Sequence, residues 1–161
     1  MTRCAPPPGG MLPFDHHPEV WAAFNRYYGT LWSRGVVDVA TKEVGRLRNA
    51  RVTGCGICRN LRFDGARAGG LDEERVARID DGYEASDLPD RWKLVIRLTD
   101  ALVADARIPP DLRGALLDEF SAAEIVELVA TITTAIAFSK AAIAFGAPPD
   151  MPVTVVPTPD V

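Results

Sequence analysis

The stretch Lys42–Cys58, KEVGRLRNARVTGCGIC, carries a helical pattern into a glycine-flanked cysteine pair. Val37, Ala40, Val44, Leu47, Ala50 and Arg51 recur at steps of three and four, with Glu43 close to the stripe, and predict a helix over 37–52. TGCG interrupts that pattern. Thr53 is placed to cap a second helix running from about Cys55 to Ala68, where Gly69 and Gly70 would stop it. Cys55 and Cys58 therefore sit at a helix start, where backbone N–H groups favour a thiolate. Residues three apart there can bring their sulfurs within bonding reach. Three readings stay open: a redox dithiol, half of a metal site, or two small core residues. A zinc site would need two more ligands, and the remaining candidates, Cys4, His16 and His17, all lie in a proline-rich arm.

Working outward, the rest of the chain is helical in pattern. From Pro18, the residues Trp21, Phe24, Tyr28, Leu31 and Trp32 give a helix with an aromatic face, ended by Gly35. This face is expected to be core, although a cavity beside the cysteines could borrow from it. LDEERVARI offers Asp72 as a cap and Leu71, Val76 and Ile79 as a buried side. RWKLVIRLTDALVADA and PPDLRGALLDEF follow as helices, the second with proline in its first turn. Ser121 and Glu124 form a capping box for a last helix from Ala122 to about Phe145. No segment alternates apolar and polar residues for long, and no glycine-rich phosphate loop is present, so neither strands nor a cofactor are expected.

These patterns predict an all-α bundle of six to seven helices, with an irregular arm over 1–17, a helical domain over 18–147 and a tail over 148–161 that drapes over a neighbour. The length, 161 residues, suits one such domain. A formal charge of −4 leaves no overall positive field, which disfavours nucleic acid and anionic lipid as partners. The basic run Gly45–Arg51 lacks interleaved aromatics and reads as a solvated helix face or an oligomer contact. Leu128–Ala147 is long enough to span a membrane, but its Ala and Thr content and the amphipathic start before it favour a buried bundle helix. A helix so apolar predicts a homo-oligomer. The amino-terminal segment lacks the apolar run of a signal peptide, so the expected location is cytoplasmic, where three cysteines do not build a disulfide framework.

KEVGRLRNARVTGCGIC resembles the signature of the carboxymuconolactone decarboxylase and alkyl hydroperoxidase D-like family. That signature has a glutamate twelve residues before a C-x-x-C pair, the spacing of Glu43 and Cys55. GGLDEERVARI, FSAAEIVELVATI and FGAP are similar to its later helices, and the likeness covers roughly residues 20–148. The resemblance implies a thiol-dependent peroxidase of peroxiredoxin-type, antioxidant activity, reduced by a dithiol electron donor. Cys58 would attack the peroxide, Cys55 would close a redox-active disulfide, and Glu43 would accept or pass on the proton. The family histidine four residues after the second cysteine is replaced by Arg62, which keeps its charge and cannot act as acid or base. One helical turn from Cys58, Arg62 would lower the thiol pKa as a fixed cation, or it would be a salt-bridge residue whose partner could be Glu43. Two other functions follow from the same scaffold: lactone processing without a redox pair, and non-catalytic ligand binding by an oligomeric helical protein.

Overall fold

The computed structural model describes residues 16–161. Its centre is α2 (Val39–Thr53), against which α6 (Asp90–Ala104) and α8 (Ala122–Ala144) pack along much of their length. Around these lie α1 (Pro18–Ser33), α3 (Gly56–Asn60), α4 (Asp64–Ala68), α5 (Glu73–Ala77) and α7 (Pro110–Glu119). The described residues thus hold eight helices, three of them little more than one turn.

All residues from Ala40 to Ala50 of α2 are buried, including Lys42, Glu43, Arg46 and Arg48. The basic run expected on the surface is therefore inside the bundle. A charge can be buried when it is paired and its remaining polar atoms are satisfied, and each of these meets that condition. Lys42 Nζ donates to Leu31 O at 2.7 Å and Glu127 Oε1 at 2.9 Å, which ties the end of α1 to α8. Arg48 holds Asp100 of α6 through Nε at 2.6 Å and Asp81 at 2.9 Å. The apolar core forms around this polar spine, with Trp32, Val44, Leu47, Trp92, Val95, Ile96, Leu98, Leu128 and Ile132 all buried. Leu71, Val76 and Ile79 also face inward, behind the Asp72 cap.

Local signals fix the ends. Asp38 caps α2, accepting from Thr41 N at 2.8 Å. Ser121 and Glu124 form the reciprocal capping box of α8. Among the described residues, α8 is the one helix with the length and apolarity of a membrane span, yet it lies along α2 with Leu128, Thr131, Ile132, Ala135, Ser139 and Ala142 buried. Val126 and Ile143 remain on its exposed side.

Two expectations are corrected. The helix predicted over 55–68 breaks at β1 (Leu61–Phe63), which pairs in parallel with β2 (Thr154–Val156), in the register Leu61–Thr154, Arg62–Val155 and Phe63–Val156. Strands are thus present, and the tail lies on its own chain. Asp64 Oδ1 accepts from both the backbone N and the hydroxyl of Thr158 at 2.8 Å, and Asn60 Nδ2 donates to Asp150 at 2.9 Å. Phe63 explains the break: extended backbone at 61–63 buries its ring against Trp32, with centroids 4.6 Å apart.

Candidate active site

The turn between α2 and α3 aims the cysteines. Gly54 adopts a left-handed conformation, φ 70°, at no steric cost and ends α2. Thr53 closes α2 rather than capping α3, its hydroxyl donating to Asn49 O at 2.7 Å. The cap of α3 is Cys55, whose Sγ accepts from Cys58 N at 3.3 Å. The two sulfurs lie 2.6 Å apart and are free thiols. Both residues are buried, packed with Ala50, Ala142 and Phe138.

Their proximity divides one charge unequally. The Cys55 thiol is lowered to about 6, first by its hydrogen bond with Cys58, against the cost of burial, and then by the Cys58 backbone N–H, Ser139 and Arg46. Cys58 is raised by the same bond and by burial. The contact thus favours Cys55 over Cys58 for the first negative charge of the reduced pair.

Arg62 does not face the sulfurs. Because the chain is extended at 61–63, the side chain four residues after Cys58 is not on the same helical face. Its guanidinium donates to Glu73 at 3.0 Å and to Arg59 O at 2.6 Å. It lines an open cavity of about 860 Å³ with Arg48, Arg51, Arg59, Asp80 and Asp100, a cavity that does not include the cysteines.

The buried cation near the thiols is Arg46, one turn along α2 from Glu43. Nε and Nη2 meet the two Glu43 oxygens at 2.6 Å each, while Nη1 reaches Cys58 O at 2.6 Å and Nη2 reaches Leu61 O at 2.7 Å. Burial works against its charge, but Glu43 more than compensates and raises its pKa. Glu43 accordingly holds Arg46, and Arg46 holds the backbone within α3 and at its carboxy-terminal end. Glu43 is brought beside the motif, with its carboxylate committed to Arg46 and to the Phe63 N–H at 3.4 Å.

Cys58, and not Cys55, lines a cavity of about 370 Å³. Trp21, Phe24 and Tyr28 of α1, Phe63 of β1 and Phe138 of α8 form most of its wall, and Val156, Pro157, Pro159 and Asp160 close its outer side. The aromatic face expected to be core is divided: Trp32 is core, and the first three rings of the stripe line this space. Ser139, buried on α8, accepts from Asn49 Nδ2 at 3.0 Å and hydrogen-bonds with the thiols. Arg46, Asn49 and Ser139 were not legible as site residues. Only the i, i+3 spacing of Glu43 and Arg46 hinted at their pairing.

Among the described residues, no group of three or more His, Cys, Asp or Glu could hold a metal ion. His17 caps α1, accepting from Val20 N at 3.4 Å, and Cys4 lies outside the described residues.

No protein-family profile matches the chain. It is similar to two uncharacterized Mycobacterium tuberculosis proteins, MT2376 and Rv2313c, each 32% identical over 141 residues, or 86% of this chain and 49% of theirs. The chain thus spans about half the length of the curated relatives it matches. Among solved structures it is similar to ATU0492 from Agrobacterium tumefaciens, a protein of unknown function proposed to be the antioxidant defence protein AhpD. The TM-score is 0.74 at 20% identity, over 86% of this chain and 95% of that one. The chain therefore has a mostly helical, AhpD-like fold.

Proposed function

We propose that the protein is a thiol-dependent oxidoreductase in which Cys58 and Cys55 reduce a hydroperoxide or similar small molecule and are restored by an external dithiol. The observation that carries this reading is the pair itself: two free sulfurs 2.6 Å apart, of which one opens onto a cavity. In the reduced pair Cys55 is the thiolate and Cys58 the thiol. When Cys58 attacks the outer peroxide oxygen, its proton passes to Cys55 across the short contact, and the O–O bond breaks to leave Cys58 sulfenic acid and an alkoxide. Cys55 then attacks the Cys58 sulfur, the S–O bond breaks, and the Cys55 proton leaves with the hydroxyl as water. The alkoxide takes one proton from solvent, so one peroxide yields one alcohol, one water and one disulfide.

The base for Cys58 in this scheme is Cys55, and Ser139 steadies the anion by hydrogen bonding. Glu43 and Arg46 are positioning residues: they fix the carbonyls of Cys58 and Leu61, and so the aim of α3. A reducing cytoplasm would keep the pair ready as thiols.

The test is a count of free thiols before and after one equivalent of hydroperoxide. Rapid loss of two thiols in the intact protein, and not in Cys58→Ser, supports the reading. Retention of both thiols in the intact protein overturns it.

A further inference from the structure

We propose that the cavity beside Cys58 seats an uncharged, ring-bearing organic substrate, and that residues 156–160 form its displaceable outer wall. The inference takes the thiol reading for the chemistry and adds to it the class of compound and the route of access.

The wall is aromatic. Trp21 and Phe24 stack at 5.3 Å and 13°, Phe24 and Phe138 at 5.4 Å and 14°, and Phe24 and Tyr28 at 5.2 Å and 18°. Near-parallel rings present faces and edges to which another planar group packs with defined geometry. The single guanidinium in the cavity, Arg46, has four of its five N–H donors engaged by Glu43 and two carbonyls and its charge balanced by the Glu43 carboxylate, so it offers little to an anion. The other charged group of the lining is a carboxylate, Asp160, which repels one. An anionic substrate would lose its hydration without compensation.

The outer wall and the chain leading into it are seated by close approach to three glycines on three helices. A Cβ at Gly29 of α1 would lie 2.5 Å from Asp160 O, one at Gly56 of α3 would lie 2.3 Å from the Pro149 carbonyl carbon, and one at Gly65 of α4 would lie 2.7 Å from Thr158 Oγ1. Beyond the three-residue β1–β2 pairing, a latch of Thr158 on Asp64 and on Gly65 N, at 3.0 Å, holds the segment down. With that segment down, Cys58 is buried. A bulky substrate reaches the sulfur when the segment lifts, and a small one needs less movement.

Binding is measured without turnover by calorimetry on Cys58→Ser, so an inert dithiol and a cavity that binds nothing give different results. 2-Naphthol is expected to bind one per chain, 2-naphthoate at least tenfold more weakly, and Phe24→Ala to weaken 2-naphthol at least tenfold. Phe138→Ala replaces Phe24→Ala if the latter loses helical circular dichroism. No 2-naphthol binding, equal binding of the carboxylate, or indifference to the ring variant overturns the assignment.

The wall is tested with Gly29→Ala, which favours α1 as a helix and so dislodges the segment without weakening its support. In a background with Cys4 and Cys55 replaced by serine, the rate of Cys58 alkylation by N-(1-pyrenyl)maleimide relative to N-methylmaleimide is expected to rise at least tenfold. An unchanged ratio overturns the displaceable wall.

Discussion

Replacing Arg46 with methionine tests whether the site is held by a buried ion pair. Glu43 and Arg46 expose 1% and 5% of their side chains, so the variant leaves a carboxylate in the core that has lost both of its charged hydrogen bonds. It also leaves the Cys58 and Leu61 carbonyls without the donors that Arg46 supplied. Removing one partner of a buried pair costs about 3–5 kcal/mol. For a chain of this size each kcal/mol is worth about 2–4 °C, so at about 4 kcal/mol the melting temperature falls by about 12 °C. Urea denaturation of the reduced protein, followed by circular dichroism, measures the loss directly. The double variant Glu43→Leu, Arg46→Met removes the stranded charge together with its partner and is expected to recover about half of the loss. A single-variant loss below about 1 kcal/mol, or a double variant as unstable as the single, refutes the claim that this pair anchors the motif.

Other consequences of the structure are open to measurement. Reduced protein should gain stability as pH rises from about 6 to about 9, because the Cys55 thiol is lowered to about 6 against an ordinary 9.0. That contribution is complete above the unfolded value and is lost as pH falls through the folded one; Cys55→Ser should remove the slope in denaturant midpoints. In Cys58→Ala the thiolate absorbance at 240 nm should titrate at higher pH, since the main donor to Cys55 is gone, and an unmoved midpoint would contradict the shared-proton geometry. Arg62→Ala should leave that midpoint in place and cost about 1 kcal/mol, the scale of a pair whose acid, Glu73, is half exposed. Lys42→Met should lower stability by about 3 kcal/mol in urea unfolding, because it strips the buried ammonium from Glu127 and from the carbonyls ending α1.

What could be read in the sequence was local. The capping box at Ser121 and Glu124, the Asp72 cap, the proline in the first turn of α7 and the proximity of Cys55 to Cys58 all depend on neighbours within four positions. The charged face of α2 misled because charge normally marks solvent, and burial depends on partners such as Asp100 and Glu127, 52 and 85 residues away. The three-residue strands are invisible for the same reason. Leu61–Phe63 is a fragment of a helical pattern until Thr154–Val156 arrives to pair with it. That one pairing also decides the fate of Arg62, since a position four residues on shares a face with Cys58 only while the helix continues.

The parallel strand pair also sets an order of events at the ribosome. Thr154 is synthesised 93 residues after its partner Leu61. At about 5–20 residues per second, the interval between them is roughly 5–20 s. During that interval the cysteines lack the cover that Phe138 and Ala142 of α8, and Pro157 and Asp160 beyond the strand, later supply. Slower elongation over the codons between the two strands would lengthen that exposure.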